Sequence, residues 1–136
     1  MAVVFGLCGD AGQAFAADLG PLTNIAGDPA RGEALLRDMT RVSCLICHRI
    51  AGLDEKDQGE IGPSLEEVAL RLSEAGLRQR IVDPRKINPD TIMPPYFSLD
   101  GLFEVGADFQ DNTIYSAQEV EDVVSYLLTL TGGFQK

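Results

Sequence analysis

The sequence predicts an all-α fold, and three observations carry that expectation. Capping residues stand at the right offset ahead of apolar runs of helical period, no segment requires a strand, and the stretches between are rich in proline, glycine and charge. The 136 residues suit one domain, long enough to bury a core.

Asp28-Pro29 opens the first helix, with Asp as N-cap and Pro at the first helical position. Leu35, Met39 and Val42 fall on one face, and the helix is expected to run to about Thr40. Gly32 inside it costs up to about 1 kcal/mol relative to Ala, which suggests a close neighbour there or a tolerated weak spot. Residues 54–60 are polar without apolar period and read as a solvated loop. Ser64 and Glu67 have capping-box spacing ahead of Leu65, Val68, Ala69 and Leu72, so a short second helix is expected, fading towards Gly76. Leu77 to Val82 adds a turn or two, ended by Asp83-Pro84. Residues 83–96 hold too many prolines for a helix or a central strand, and form an ordered loop. The Ser98 to Thr113 stretch carries Phe103, Val105 and Phe109, and is expected to lie against the body. Ser116 and Glu119 form another capping box. Val120, Val123, Val124, Leu127 and Leu128 then make the stripe of a last helix ending near Gly132-Gly133.

Chemistry is concentrated in Cys44-Leu45-Ile46-Cys47-His48, the attachment pattern of c-type haem. One helical turn separates the two thiols, which places both sulfurs beside the vinyl groups on one porphyrin edge, and the imidazole that follows turns under the iron. The other readings are a zinc half-site and a thioredoxin-like dithiol. Zinc lacks a fourth ligand, since His48 is the sole histidine, and a dithiol lacks its βαβ setting. One covalent haem c, held by Cys44 and Cys47 with His48 on its iron, is therefore expected, with the helices packed around it.

The second axial position then falls to a methionine, a lysine, a small molecule or nothing. Met1 lies in an expected signal, and Met39 on the apolar face of the first helix is explained by core packing. Met93 remains, on a loop that Pro94 and Pro95 stiffen, so that a weak thioether ligand loses little entropy on binding. Its alternative is simple packing against something apolar. Lys56 or Lys86 would have to ligate as a neutral amine, far from its ordinary pKa of about 10.4. His/Met ligation raises the potential and leaves no open site, so electron transfer is expected and no catalytic residue is assigned.

With 11 Lys and Arg against 21 Asp and Glu, and a pI near 4.4, nucleic acid and anionic membrane surfaces are disfavoured as partners, whereas a basic protein would be steered in. Residues 1–16 read as a signal peptide cleaved after Ala16, leaving residues 17–136 as the mature domain in the periplasm, without Cys8. No Lys or Arg precedes Arg31, which fits a signal truncated at its start. The apolar run is far shorter than the roughly 20 residues of a membrane span.

The first helix, the haem pentapeptide, the loop from Asp83 to Met93 and the aromatic-bearing last helix together resemble a class I cytochrome c. In that fold the terminal helices cross at a small residue and an aromatic, here Gly32 and Tyr126. A proline carbonyl orients the proximal imidazole, and Pro63 of Ile61-Gly62-Pro63-Ser64-Leu65 matches it. From Asp28 to Leu130 the chain is similar to the SoxX family, monohaem subunits of the SoxAX complex of thiosulfate oxidation. Met93-Pro94-Pro95-Tyr96, Asp100-Gly101-Leu102, Val105, Phe109 and the run from Ser116 to Leu127 carry that similarity. It implies a SoxA partner, which holds the catalytic haem of an L-cysteine S-thiosulfotransferase acting on the SoxYZ carrier, and a soluble cytochrome as acceptor. The present chain would relay electrons. A contact with the SoxA partner is expected near Cys44, and the Ser98 to Phe109 loop either adds to it or packs within the chain. The alternatives are a free-standing periplasmic carrier for an oxidase or reductase, and a non-haem zinc module.

Overall fold

The computed structural model describes residues 19–133, so the expected signal and its cleavage point lie outside the described residues. Four α-helices follow in order: α1 (Pro29–Arg37), α2 (Val68–Arg71), α3 (Glu74–Val82) and α4 (Ala117–Leu127). Short 3-10 turns stand at Cys44–Ile46, Pro84–Lys86 and Ala107–Phe109, and among the described residues there is no strand. No described helix is long and apolar enough to cross a membrane.

Helix α1 begins as its caps require, the Asp28 carboxylate accepting from the N–H groups of Ala30 and Arg31. It ends at Arg37, earlier than periodicity suggests, because the Asp38 side chain accepts from both the N–H and the hydroxyl of Thr40 and so stabilises a turn in place of helix. The early stop changes which side chains face inward. Leu36 is fully buried, whereas Met39, expected in the core, lies beyond the helix and is 66% exposed. Similarly, the Ser64 and Glu67 capping box does not form. The Ser64 hydroxyl accepts from Glu66 N–H and donates to the Arg49 carbonyl, and α2 starts at Val68 without a side-chain cap. Helix α3 is longer than expected, because Ser73 caps it through Gly76 N–H. The box at Ser116 and Glu119 is complete in both directions. Yet α4 stops at Leu127, well before the glycines, where the Thr129 hydroxyl donates to the Tyr126 carbonyl and Leu130 turns back into the core under α2.

Helices α1 and α4 cross closely. A Cβ on Gly32 would overlap the Asp122 carbonyl and come within 2.9 Å of Tyr126 Cβ, and Gly27 meets Glu121 and Ser125 of α4 in the same way. Val120, Val123, Val124 and Leu127 bury the inner face of α4 against Leu36, Leu77, Ile81 and Leu130. The crossing also buries charge. Glu121 accepts from Leu22 N–H and from two nitrogens of Arg78, at 2.8 to 3.0 Å. The adjacent Asp122 accepts from Asp28 N–H, from two nitrogens of Arg31 and from Gln118, at 2.8 to 3.1 Å. Neighbouring carboxylates thus tie the segment ahead of α1 across the outside of α4.

Candidate haem site

The pentapeptide is placed by its neighbours on both sides. Ser43 donates its hydroxyl to the Leu36 carbonyl near the end of α1 and accepts from Leu45 N–H, so that α1 delivers the chain directly into the Cys44–Ile46 turn. Cys47 N–H and His48 N–H both donate to the Cys44 carbonyl, at 3.2 and 2.8 Å. Residues 59–65 then run back beside the motif, zipped by Gly59 N–H to Leu45 O (2.8 Å), Gly62 N–H to Cys47 O (2.7 Å) and Leu65 N–H to Arg49 O (2.9 Å). The charged loop from Asp54 to Glu60 is therefore held by more than solvent. The Gln58 side chain satisfies Ile50 N–H and the Leu53 and Glu55 carbonyls, and Glu55 pairs with Arg37 at 2.9 Å.

That return strand of loop brings the Pro63 carbonyl to 2.7 Å from Nδ1 of His48. A carbonyl only accepts, so Nδ1 carries the proton and Nε2 keeps a free lone pair, the tautomer a metal requires. Gly62 lies so near the imidazole that a Cβ there would overlap the ring. Glycine is thus needed beside the imidazole for space rather than for dihedral freedom. The signal for it was present in the sequence as the residue before Pro63.

Met93 is half-buried and packs against the core on the loop between α3 and Tyr96, its N–H donating to the Thr91 hydroxyl at 3.2 Å. Tyr96 holds that loop. Its N–H donates to Ile81 O (3.0 Å), its carbonyl accepts from Tyr115 N–H (2.9 Å), and its hydroxyl donates to Val42 O (2.8 Å), two residues ahead of Cys44. The loop bearing Met93 and the arm bearing Cys44 are therefore joined through one tyrosine. Tyr96 and Tyr115 are packed with ring centroids 4.7 Å apart, and Arg41 sits 5.1 Å over Tyr115 while paired with Glu119 at 2.6 Å. Both hydroxyls approach Cys44. Burial pushes the Cys44 thiol up to about 11, against the opposing pull of these hydroxyls, and burial likewise raises both tyrosines well above their ordinary value. Sequence reasoning missed Tyr115, which precedes the Ser116 cap without any local signal.

Among the described residues no three His, Cys, Asp or Glu side chains gather as a metal ion would require, so Cys44, Cys47 and His48 do not converge on a point. Two thiols and one lone-pair nitrogen on a short turn, pointing to separate places, suit a macrocycle that takes sulfur at its edge and nitrogen at its centre. The donor set and the bare Nε2 fit haem c, and zinc finds no fourth ligand. Lys86 is engaged with Asp100 at 3.8 Å.

Comparison with known proteins agrees. The cytochrome c family profile matches residues 29–131. A chain in the crystal structure of SoxXA from P. pantotrophus is similar over 83% of this chain and 88% of that one, at 30% sequence identity and a TM-score of 0.76. Curated protein sequences give no significant match.

Proposed function

We propose, since the chain belongs to the cytochrome c family, that it is the monohaem electron-transfer subunit of a SoxAX-type complex, relaying electrons from a SoxA-like subunit to a soluble cytochrome during periplasmic thiosulfate oxidation. The observation that carries this reading is the similarity to a chain of SoxXA, which extends over nearly the whole of both chains rather than over the pentapeptide alone. Haem c, when bound, supplies a one-electron couple. Cys44 and Cys47 would hold it covalently through their sulfurs. His48, its Nδ1 held by the Pro63 carbonyl, would offer Nε2 to the iron, and the Met93 thioether would be its second protein ligand. With Cys44 and Cys47 committed to the haem, the sequence of residues 17–136 would offer no further cysteine to conjugate sulfur to a carrier. Catalysis on SoxYZ belongs to the partner on this reading.

The test is direct. Periplasmic material should show by denatured mass spectrometry one haem added to a chain beginning at Ala17, and the protein should co-elute with a SoxA-like subunit and be reduced by it. Met93→Ala should keep the haem but lose the sulfur-to-iron charge-transfer band and lower the potential, while Met39→Ala should change neither. Thiosulfate conjugation by this chain alone would overturn the relay reading. Failure to co-elute with the SoxA-like subunit would point to a free-standing carrier.

A further inference from the structure

The charge of this molecule is unevenly placed. Between Lys86 and Lys136 the sequence has no Lys or Arg. Within that span, residues 99–111 fold into a hollow of about 320 Å³ with an apolar floor of Leu102, Val105 and Phe109. Glu104 and Asp111 stand among its lining residues, and Asp108 lies on the 3-10 turn beside them. Arg85 is paired with Asp83, Lys86 with Asp100 and Arg41 with Glu119. Phe103 belongs to the same hollow and is 81% exposed. Glu104 and Asp111 are the non-glycine residues with positive φ among those described, at 54° and 59°, a conformation that costs on the order of 1 kcal/mol at each. The partition of Leu102, Val105 and Phe109 is shared with a second hollow of about 160 Å³, whose far wall is Pro94 and Pro95. The patch is therefore continuous with the loop that carries Met93.

We propose that this acid-rimmed apolar hollow is the docking surface for a soluble electron-transfer protein that presents lysines and arginines around an apolar centre. The inference rests on the electron-carrier reading above and names the contact it uses. Charge complementarity selects the partner. A rim of uncompensated carboxylates raises the encounter rate of a basic face and repels an acidic one, and an exposed phenylalanine supplies the short-range contact that steering alone lacks. The size selects the lifetime. Two small hollows along one loop suit a weak redox encounter, below the roughly 1,200 Å² of a stable interface, and not a permanent subunit contact.

The test uses the haem-loaded protein and, as probe, a soluble cytochrome c with a lysine-ringed haem edge. Stopped-flow electron exchange is followed at low and high salt. Haem content and spectrum are checked first, so a protein without haem, or one that exchanges no electrons unaltered, counts against the carrier reading itself. Glu104→Lys with Asp108→Lys should slow exchange about tenfold at low salt and little at high salt. Asp54→Lys with Asp57→Lys, the same change of net charge on another exposed loop, should slow it far less. Phe103→Ala should slow exchange at least about fivefold at both salts, the size of a buried anchor's contribution. Equal slowing by the two charge reversals, or no effect from Phe103→Ala, would overturn the proposal. Loss of co-elution with a SoxA-like subunit in the Phe103 variant would overturn it too, by making this surface the subunit interface.

Discussion

The α1–α4 crossing and the 98–113 segment treat the ordinary rules of burial in opposite ways. At and beside the crossing, full charges are buried: Asp122 of α4 and Arg78 of the neighbouring α3 are each 2% exposed and Glu121 6%. Each is surrounded by partners, so that the cost of removing it from water is offset by charge-assisted hydrogen bonds. Along 98–113 a large apolar ring is left in water and two residues hold positive φ. The crossing draws its order from distant parts of the chain, through bonds that link Leu22 and Asp28 to α4 across more than ninety residues. The 98–113 segment is ordered mainly by its own turns, such as Phe109 N–H to Gly106 O at 2.9 Å. A region fixed from every side is suited to holding the helices that position the haem arm. A region fixed chiefly by itself can present side chains outward at little cost to the rest.

The contrast can be broken most severely at Arg78. Arg78→Ala leaves Glu121 buried without its cation and frees the Leu19 carbonyl, and should cost about 3–5 kcal/mol, or on the order of 10 °C in Tm, measured by thermal unfolding of the holoprotein. The same cluster should respond to acid. Burial raises the Glu121 carboxyl, but the Arg78 guanidinium and Leu22 N–H outweigh it, and Arg31 holds the Asp122 carboxyl low, so both groups are below their ordinary values in the folded state. A depressed carboxyl stabilises the fold above its unfolded pKa and loses that contribution as pH falls through the folded one. Stability should therefore be level above about pH 5 and decline from about pH 4 downward, and Asp122→Asn should flatten that decline in urea titrations across the range.

Next in size is Gly32→Ala. Helix propensity favours it by about 1 kcal/mol, yet the new methyl meets the Asp122 carbonyl, and backbone does not yield as a side chain does; the net should be a loss of about 1–3 kcal/mol in denaturant unfolding. Tyr96→Phe removes one hydrogen bond to Val42 O and should cost about 1 kcal/mol. Its distinguishing effect should be at the iron. On the proposed ligation by Met93, and because Tyr96 joins the Met93 loop to the Cys44 arm, the sulfur-to-iron band should disappear at a lower pH than in the unaltered protein, which optical titration reads. Smallest is Phe103→Ser, where unfolding should shift by no more than about 0.5 kcal/mol, since the ring contributes little to the core. A large loss there would erase the distinction between the two regions.

Much of this protein was determined by signals that act within four residues of chain. Asp28 with Pro29, the Ser116 and Glu119 box and the break at Asp83-Pro84 are each complete locally, and each is formed as its own chemistry dictates; the spacing of Cys44, Cys47 and His48 is just as local a signal. The match of Gly32 to Tyr126 was legible through family resemblance, and the structure supplies the contact. Tertiary structure decided the rest, because the deciding partner lay far away in sequence. Ser64 had the spacing of a cap, but the Arg49 carbonyl and Glu66 N–H were nearer to its hydroxyl. Met39 had the period of a core residue, but the helix that would have carried it inward stopped at Arg37. Glu121 and Asp122 lie outside the apolar stripe of the last helix, and are buried because Arg78, Arg31 and the backbone of residues 22–28 come to meet them. Periodicity counts how apolar a face is; it has no information about which distant donors will arrive to make a polar face dry.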